Sequence, residues 1–307
     1  MEIYLVSMTV VAGIYAVMAL GLNVMWGMAG LVNLGLVGSA AVGAYTSALL
    51  TKSLGLPIGV GMLAGALAAA AAGAFLSLVS SRLKDHYLAI VTLGFAEAIR
   101  IVASNEIWLT NGTDGISGIP RPFRSEVTTL QFNLIYLAIV AAVVLALYVL
   151  CQRILYSPFG RVLHAIRDDD VVVGVAGKNA RLFKVTAFAI GSGIVGLAGG
   201  LYAHYTSFIS PELFVPLMTL YVKLSLLAGG VGNNRGAVVG AAVIILILEG
   251  TRFLVPFIPY ITPPQGAALR ELFLSATLLI VLRFRLKGLV PEAHDHLIVR
   301  PGATPSR

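Results

Sequence analysis

Long apolar runs separated by short polar stretches dominate this chain. A segment of about 20 mainly apolar residues is long enough to cross a hydrocarbon core. Runs of that kind lie near 3–22, 34–51, 57–80, 86–103, 132–152, 182–206, 214–230, 236–257 and 267–283. They predict an all-α polytopic membrane protein with about nine transmembrane helices, eight and ten being the neighbouring counts. The 214–230 run is short and contains Lys223. The first run follows Met1 and Glu2 with no basic segment ahead of it, so a spanning helix is expected there, not a cleaved leader. A transmembrane domain over 1–287 and a polar tail over 288–307 follow from the same pattern.

One long polar interruption stands out, from Arg153 to Lys184. Two short helices can be read in it. Ser157 suits a helix cap and Pro158 the first helical position, where a missing N–H costs nothing. Phe159, Val162, Leu163 and Ile166 then recur at i, i+3, i+4 and i+7 as one apolar stripe, with Arg161, His164 and Arg167 expected on the opposite face. Asp168, Asp169 and Asp170 stand where carboxylates satisfy the free N–H groups of a second helix. Gly177 is its expected stop, with Lys178 just beyond. A positively charged loop that merely fixes topology is the plainer reading, but capped amphipathic helices are more structure than a topology signal requires. They suit a docking surface for a soluble partner.

A second kind of interruption carries no charge. Gly21, Asn23, Gly27, Gly30, Asn33 and Gly35 crowd the junction between the first two runs, and a similar cluster recurs at Gly229, Gly230, Gly232, Gly236 and Gly240. Non-helical backbone at membrane depth persists only where protein or a cavity surrounds it, so broken or re-entrant segments are expected here. Paired interruptions in the two halves of a chain point to an internal repeat of the kind transporters use.

Composition agrees: 58% of the 307 residues are hydrophobic, only 11% are charged, and the formal net charge is +7. No basic patch is interleaved with exposed aromatics, so nucleic acid is not an expected partner, whereas membrane lipids are. The lone Cys151 rules out an internal disulfide and a thiolate metal cluster. Lys and Arg set the orientation. With the N-terminus outside, Arg82, Lys84, the 153–184 loop, Arg235, Arg283, Arg285 and Lys287 lie inside, and only Lys52, Arg121, Arg124 and Arg252 lie outside. The expected topology is therefore N-out/C-in, with 104–131 a flexible external loop.

Few motifs carry chemistry. Gly191-Ser192-Gly193-Ile194-Val195-Gly196 fits a dinucleotide fingerprint by letter, but no strand precedes it. These glycines, with Gly200, Gly61 and Gly65, and Gly236 and Gly240, read better as close helix packing. Asn111-Gly112-Thr113 matches a glycosylation acceptor and is taken as a chance match. Glu97 and Arg100 share a face of the fourth run, where charges usually pair or line a polar path. With Asn23 and Asn33 they are the translocation-pathway candidates. Lys223, Glu249, Arg270 and Glu271 are further membrane charges. No catalytic triad, metal cluster or Walker sequence occurs, so no catalytic, metal or cofactor-binding residue is assigned, and any ATP would be hydrolysed by another chain.

Several motifs in order resemble one family, the LivM-type permease subunits of branched-chain amino acid ABC importers. They include Gly21-Leu22-Asn23 with Gly30, and the stretch from Tyr87 through Thr92 and Glu97 to Arg100. Leu109 to Pro120, Ser157 to Asp169, Gly199 to Tyr205, Ile209-Ser210-Pro211-Glu212 and Gly229-Gly230-Val231-Gly232 continue the series. The cytoplasmic loop has Val171-Val172-Val173-Gly174 where relatives often carry Ala- and Glu-rich sequence. The resemblance implies a translocation subunit, not an enzyme, in a bacterial inner membrane. It implies a LivH-like second permease subunit, two cytoplasmic ABC ATPases that bind the ATP, and a periplasmic amino acid-binding receptor. The 153–184 element would then be the coupling helix, with Arg161, Arg167 and Asp168 to Asp170 meeting an ATPase, and Val162, Leu163 and Ile166 seating it. Branches of the family also move urea, amides or other amino acids. An ATP-independent secondary transporter or channel using Glu97 and Arg100 is the alternative from another class.

Overall fold

The computed structural model describes residues 2–80, 83, 85–122, 128–254 and scattered positions between 265 and 290. Among the described residues, 83% of the backbone is helical. Helix α1 (Glu2–Leu22) continues into a π-helical turn over Asn23–Met28. Then come α2 (Leu36–Ser53), α3 (Ile58–Ser80), α4 (Asp85–Asn105), the short α5 (Ile107–Thr110) and α6 (Thr129–Tyr156). The polar interruption forms α7 (Pro158–Asp168) and α8 (Asp170–Val175), and α9 (Ala180–Thr206), α10 (Pro216–Gly229) and α11 (Asn234–Leu254) complete the order. Among the described residues, six helical stretches, Glu2–Met28, Ile58–Ser80, Tyr87–Asn105, Thr129–Tyr156, Ala180–Thr206 and Pro211–Gly229, are long and apolar enough to cross a membrane. Helices α2 and α11 occupy two more of the expected runs. The ninth, 267–283, lies largely outside the described residues, as do Arg82, Lys84, Arg124, Arg270, Glu271, Arg285, Lys287 and the tail beyond 290.

The core is a three-helix contact between α2, α3 and α9, with α1 against α6, α9 and α11. Lipid tails are as apolar as leucine, so helices in a membrane associate through close packing and not through apolar burial. Small residues make that packing possible here. A Cβ on Gly43 would lie 2.1 Å from the carbonyl oxygen of Gly196, one on Gly65 2.5 Å from that of Gly43, and one on Gly199 2.0 Å from that of Ala40. A Cβ on Gly191 would meet Met25 at 2.4 Å and the Gly21 carbonyl at 2.7 Å. The glycines of the false dinucleotide fingerprint therefore seat α9 on its neighbours. Between α10 and α11 the second glycine cluster does the same, for a Cβ on Gly240 would lie 1.9 Å from the Ser225 carbonyl oxygen.

The two ends of this bundle differ. At one end, the segment after α4 is folded and not a flexible loop. Asn111 takes a left-handed φ of 62° and its amide donates to the Gly115 carbonyl at 3.0 Å. Strand β1 (Ile116–Ser117) then pairs antiparallel with β2 (Phe208–Ile209), just past α9. His204, fully buried, lies 2.7 Å from the Pro120 carbonyl through Nδ1 and 2.9 Å from the Ser47 hydroxyl through Nε2. A carbonyl only accepts, so Nδ1 carries the proton and Nε2 of the neutral ring accepts from Ser47. Lys52 donates to the Ser117 carbonyl at 2.6 Å and Arg121 to that of Thr206 at 2.6 Å. The loop looked flexible in sequence because these partners come from α2 and α9, 65 to 88 residues away along the chain.

At the opposite end lie the π-helical turn, α7, α8, the 230–233 turn and the described start of the tail, where the Leu289 and Val290 amides donate to the Ala228 and Gly229 carbonyls at 2.9 and 2.8 Å. Gly199→Ala is expected to destabilise the protein by about 1–3 kcal/mol, because the methyl group drives α9 off the α2 backbone. Gly94→Ala, on α4 with no heavy atom within 4 Å of the new Cβ, should be neutral or stabilise by about 0.5–1 kcal/mol. Thermal unfolding in mild detergent checks both, and equal midpoints for the two variants would refute the packing argument.

Candidate functional site

The interruption folds as two capped helices whose starts follow from side chain to backbone bonds. Ser157 accepts the Gly160 N–H at 3.2 Å at the head of α7, and Pro158 occupies the first position. Asp169 heads α8, its carboxylate accepting from Val171 at 2.8 Å and Val172 at 3.3 Å. Gly177 ends the pair in a left-handed turn, φ 75°, in which the Lys178 N–H reaches back to the Val173 carbonyl at 3.2 Å. That is the reciprocal bonding that closes a helix at a glycine. Lys184 at the head of α9 donates to Asp170 at 2.6 Å and ties α8 to α9.

Along α7, Leu163 and Ile166 are buried, and the Phe159 ring stacks on Phe183 of α9 with centroids 5.4 Å apart. Val162 is half-buried and lines a surface groove with Pro158, Arg161, Ala165, Val173, Ala176 and Lys178. Arg161, Asp168, Asp169 and Asp170 are exposed. So are Val171, Val172 and Val175, the last at 86% of its full surface. This combination of exposed charge and bare valine was legible in the sequence only as an odd Val-Val-Val run.

Arg167 stands elsewhere than expected. At about 100° per residue, a step of three falls short of a full turn by about 60°. Two such steps carry Arg167 about 120° away from Arg161 and leave it about 40° from buried Leu163. Its side chain is half-buried, and its guanidinium donates to the Gly27 carbonyl of the π-helical turn at 2.5 Å. The Gly30 backbone, at φ 73°, packs on the same side chain, and a Cβ there would sit 3.1 Å from Arg167 Cγ.

The two glycine clusters meet beside this contact. Asn23, fully buried, donates to Oδ1 of Asn234 at 2.9 Å and accepts the Gly232 N–H at 2.9 Å. Asn234 in turn donates to Gln152 Oε1 of α6 at 2.9 Å. Asn33, buried at 2%, accepts the Gly35 N–H at 2.8 Å and approaches Met25 Sδ at 3.5 Å. Leu34 N–H donates to Thr92 of α4 at 3.0 Å. The Lys223 ammonium sits 5.1 Å from the Trp26 ring centroid, a cation–π contact that accommodates a charge inside an apolar run. Tyr4 donates to the Glu249 carboxylate at 3.2 Å.

Glu97 and Arg100 lie on α4, away from the asparagines. The guanidinium bridges both carboxylate oxygens, with Nε at 3.0 Å from each, and the side chains stay 39% and 31% exposed. The structure thus sets Asn23 and Asn33 in a packed junction and leaves Glu97 and Arg100 as a paired charge on an open helix face. Gln152 and Asn234, which complete the junction, carry no signal in the sequence beyond their place at the ends of apolar runs.

Comparison with known proteins adds a finding of another kind. The profile described as the branched-chain amino acid transport system / permease component matches residues 4–282. The chain is 34% identical to the high-affinity branched-chain amino acid transport system permease protein LivM of Escherichia coli K12, over 94% of this chain and 71% of that one. It is 28% identical to the probable LivM permease of Methanocaldococcus jannaschii, over 95% of each. It is 23% identical to LivH of Salmonella typhimurium over 75% of this chain and 79% of that one. No solved structure matches.

Asn23→Leu keeps the volume and removes both halves of the junction, leaving the Gly232 N–H and Asn234 Oδ1 buried without a partner. A loss of on the order of 1–3 kcal/mol for each unpaired group is expected. It should be visible as a lowered unfolding midpoint that Asn33→Leu, with its shorter-range bonds, does not reproduce in full.

Proposed function

The chain belongs to the branched-chain amino acid transport system permease family, and from that membership we propose that it is one translocation subunit of an ATP-driven importer for leucine, isoleucine and valine. Its core partner is a second, LivH-like permease, and two cytoplasmic ATPases and an external amino acid-binding receptor complete the assembly. The observation that carries the reading is the α7–α8 element: a folded, capped helix pair with its apolar stripe seated on α9 and Arg161, three aspartates and bare valines turned outward. It has the form of a coupling helix that an ATPase groove receives.

The same reading assigns the sides of a plasma membrane. Arg153, Arg161, Arg167, Lys178, Arg181, Lys184 and Arg235 gather at the end that carries α7 and α8, and Lys52 and Arg121 at the end that carries the β1–β2 pair. Short loops rich in Lys and Arg stay in the cytoplasm, which favours an N-out, C-in chain of nine crossings with the tail inside. ATP binding draws the ATPases together, moves the docked element and rocks the helices between outward and inward openings. The receptor meets the folded β1–β2 end, where Glu97 and Arg100 on the open face of α4 line the entry. Asn23 and Asn33 shape the other end of the path by holding the broken segment in place.

The test is affinity capture of the tagged protein from its own membrane in mild detergent, with mass spectrometry of the proteins retained. A second permease and two ATPases are expected. Arg161→Glu should lower the recovered ATPase at least tenfold while the second permease still co-purifies, because the charge it reverses lies on the exposed face. A protein recovered alone, or only with copies of itself even after crosslinking, would refute the assignment.

A further inference from the structure

The contacts of Arg167 reach further than docking. Helix α1 and its π-helical turn end at Met28, and the last turn of any helix leaves carbonyls without intrahelical partners. A cation near that end also complements the helix dipole. Here the cation does not come from the neighbouring loop. It comes from α7, 140 residues further along the chain. The turn it holds is then fastened on its other side, because Asn23 binds Gly232 and Asn234, and Asn234 binds Gln152. Hydrogen bonds thus fasten the broken end of α1 on two sides, to α7 through Gly27 and to the second glycine cluster and α6 through Asn23.

A π-helical turn is a weak point in a helix and recurs at functional sites. Close packing allows little slack around it. Gly27 already has Asn23 Oδ1 and the Gly232 N–H within 3 Å of where a Cβ would stand. A displacement of α7 therefore cannot leave the turn behind while the Arg167 bond holds. We propose that Arg167 is a transmission residue: it does not bind an ATPase but couples movement of α7 to the end of α1 and, through Asn23, to the 229–234 turn. The inference rests on the importer reading above and deepens it by dividing the two arginines. Arg161 meets the partner; Arg167 carries the motion inward.

The test compares Arg167→Ala, Arg167→Lys and Arg161→Glu in the whole importer reconstituted in liposomes with its receptor. Co-purified ATPase, ATP hydrolysis and leucine uptake are measured together. R167A should retain its ATPases and hydrolyse ATP at a rate within about twofold of wild type, yet take up at least tenfold less leucine per ATP hydrolysed. R167K, which can still donate to the Gly27 carbonyl, should recover part of that ratio. Hydrogen–deuterium exchange of the assembled complex should show faster exchange at amides 24–31 in R167A, with α3 and α9 unchanged. Loss of the ATPases from R167A would make Arg167 a docking residue and overturn the proposal, as would a wild-type uptake ratio. If R167A does not accumulate, Arg167→Gln takes its place: a reduced uptake ratio with the ATPases retained supports the proposal, and lost ATPases or a wild-type ratio overturns it. A wild-type assembly that takes up leucine without ATPases would overturn the importer reading and this inference together, whereas normal wild-type coupling with an unaffected R167A overturns this inference alone.

Discussion

Close backbone approach is the constraint on which this structure depends. Where the surrounding solvent is as apolar as the side chains, no free energy is gained by turning leucine away from it, and helices hold together by fitting closely. Glycine at 43, 65, 196 and 199 lets α2, α3 and α9 touch backbone to backbone. Contact at that range leaves no freedom to slide. The three helices therefore form a tightly packed unit, and a polar group placed inside the bundle is costly unless a partner lies within reach.

The junction at Asn23 shows how that requirement is met. An unpaired amide or N–H group in hydrocarbon costs several kcal/mol. The broken end of α1 and the 230–233 turn would each expose such groups if they stood apart. Placed face to face, Asn23, Gly232, Asn234 and Gln152 satisfy one another. Two irregular segments that are each costly alone become one junction when they pack together, which is a physical reason for glycine-rich interruptions to occur as a pair.

The α7–α8 element follows a different logic. Its helices are short, start on side-chain caps and are held to the bundle by Phe159 on Phe183, by buried Leu163 and Ile166, and by Lys184 on Asp170. Its outer surface keeps the Arg161 guanidinium, the Asp168 carboxylate and bare valine exposed. Such an element is firm where it meets the membrane helices and open on its outer face. That is the arrangement the proposed coupling to a soluble partner needs.

Much of this was determined by the sequence alone. Apolar runs of spanning length give the helices, because an unbroken apolar stretch has few other stable homes. Ser157-Pro158, Asp169 and Gly177 set the ends of α7 and α8, because caps are local bonds between residues two to five apart. The glycine clusters announced irregular backbone, and the order of motifs announced the family. What the sequence left undecided were contacts between residues far apart along the chain. Arg167 looked like a partner of Arg161, and only the drift of a 3.6-residue helix together with the position of Gly27 turned it inward. The 110–121 segment looked loose because its partners lie in α2 and α9. Asn23 stood out as a pathway candidate, but its bonds to Asn234 and Gly232, 211 and 209 residues away, could not be read from the sequence. Local bonds are written in adjacent letters; these others exist only once close helix packing has brought distant backbone groups within 3 Å of one another.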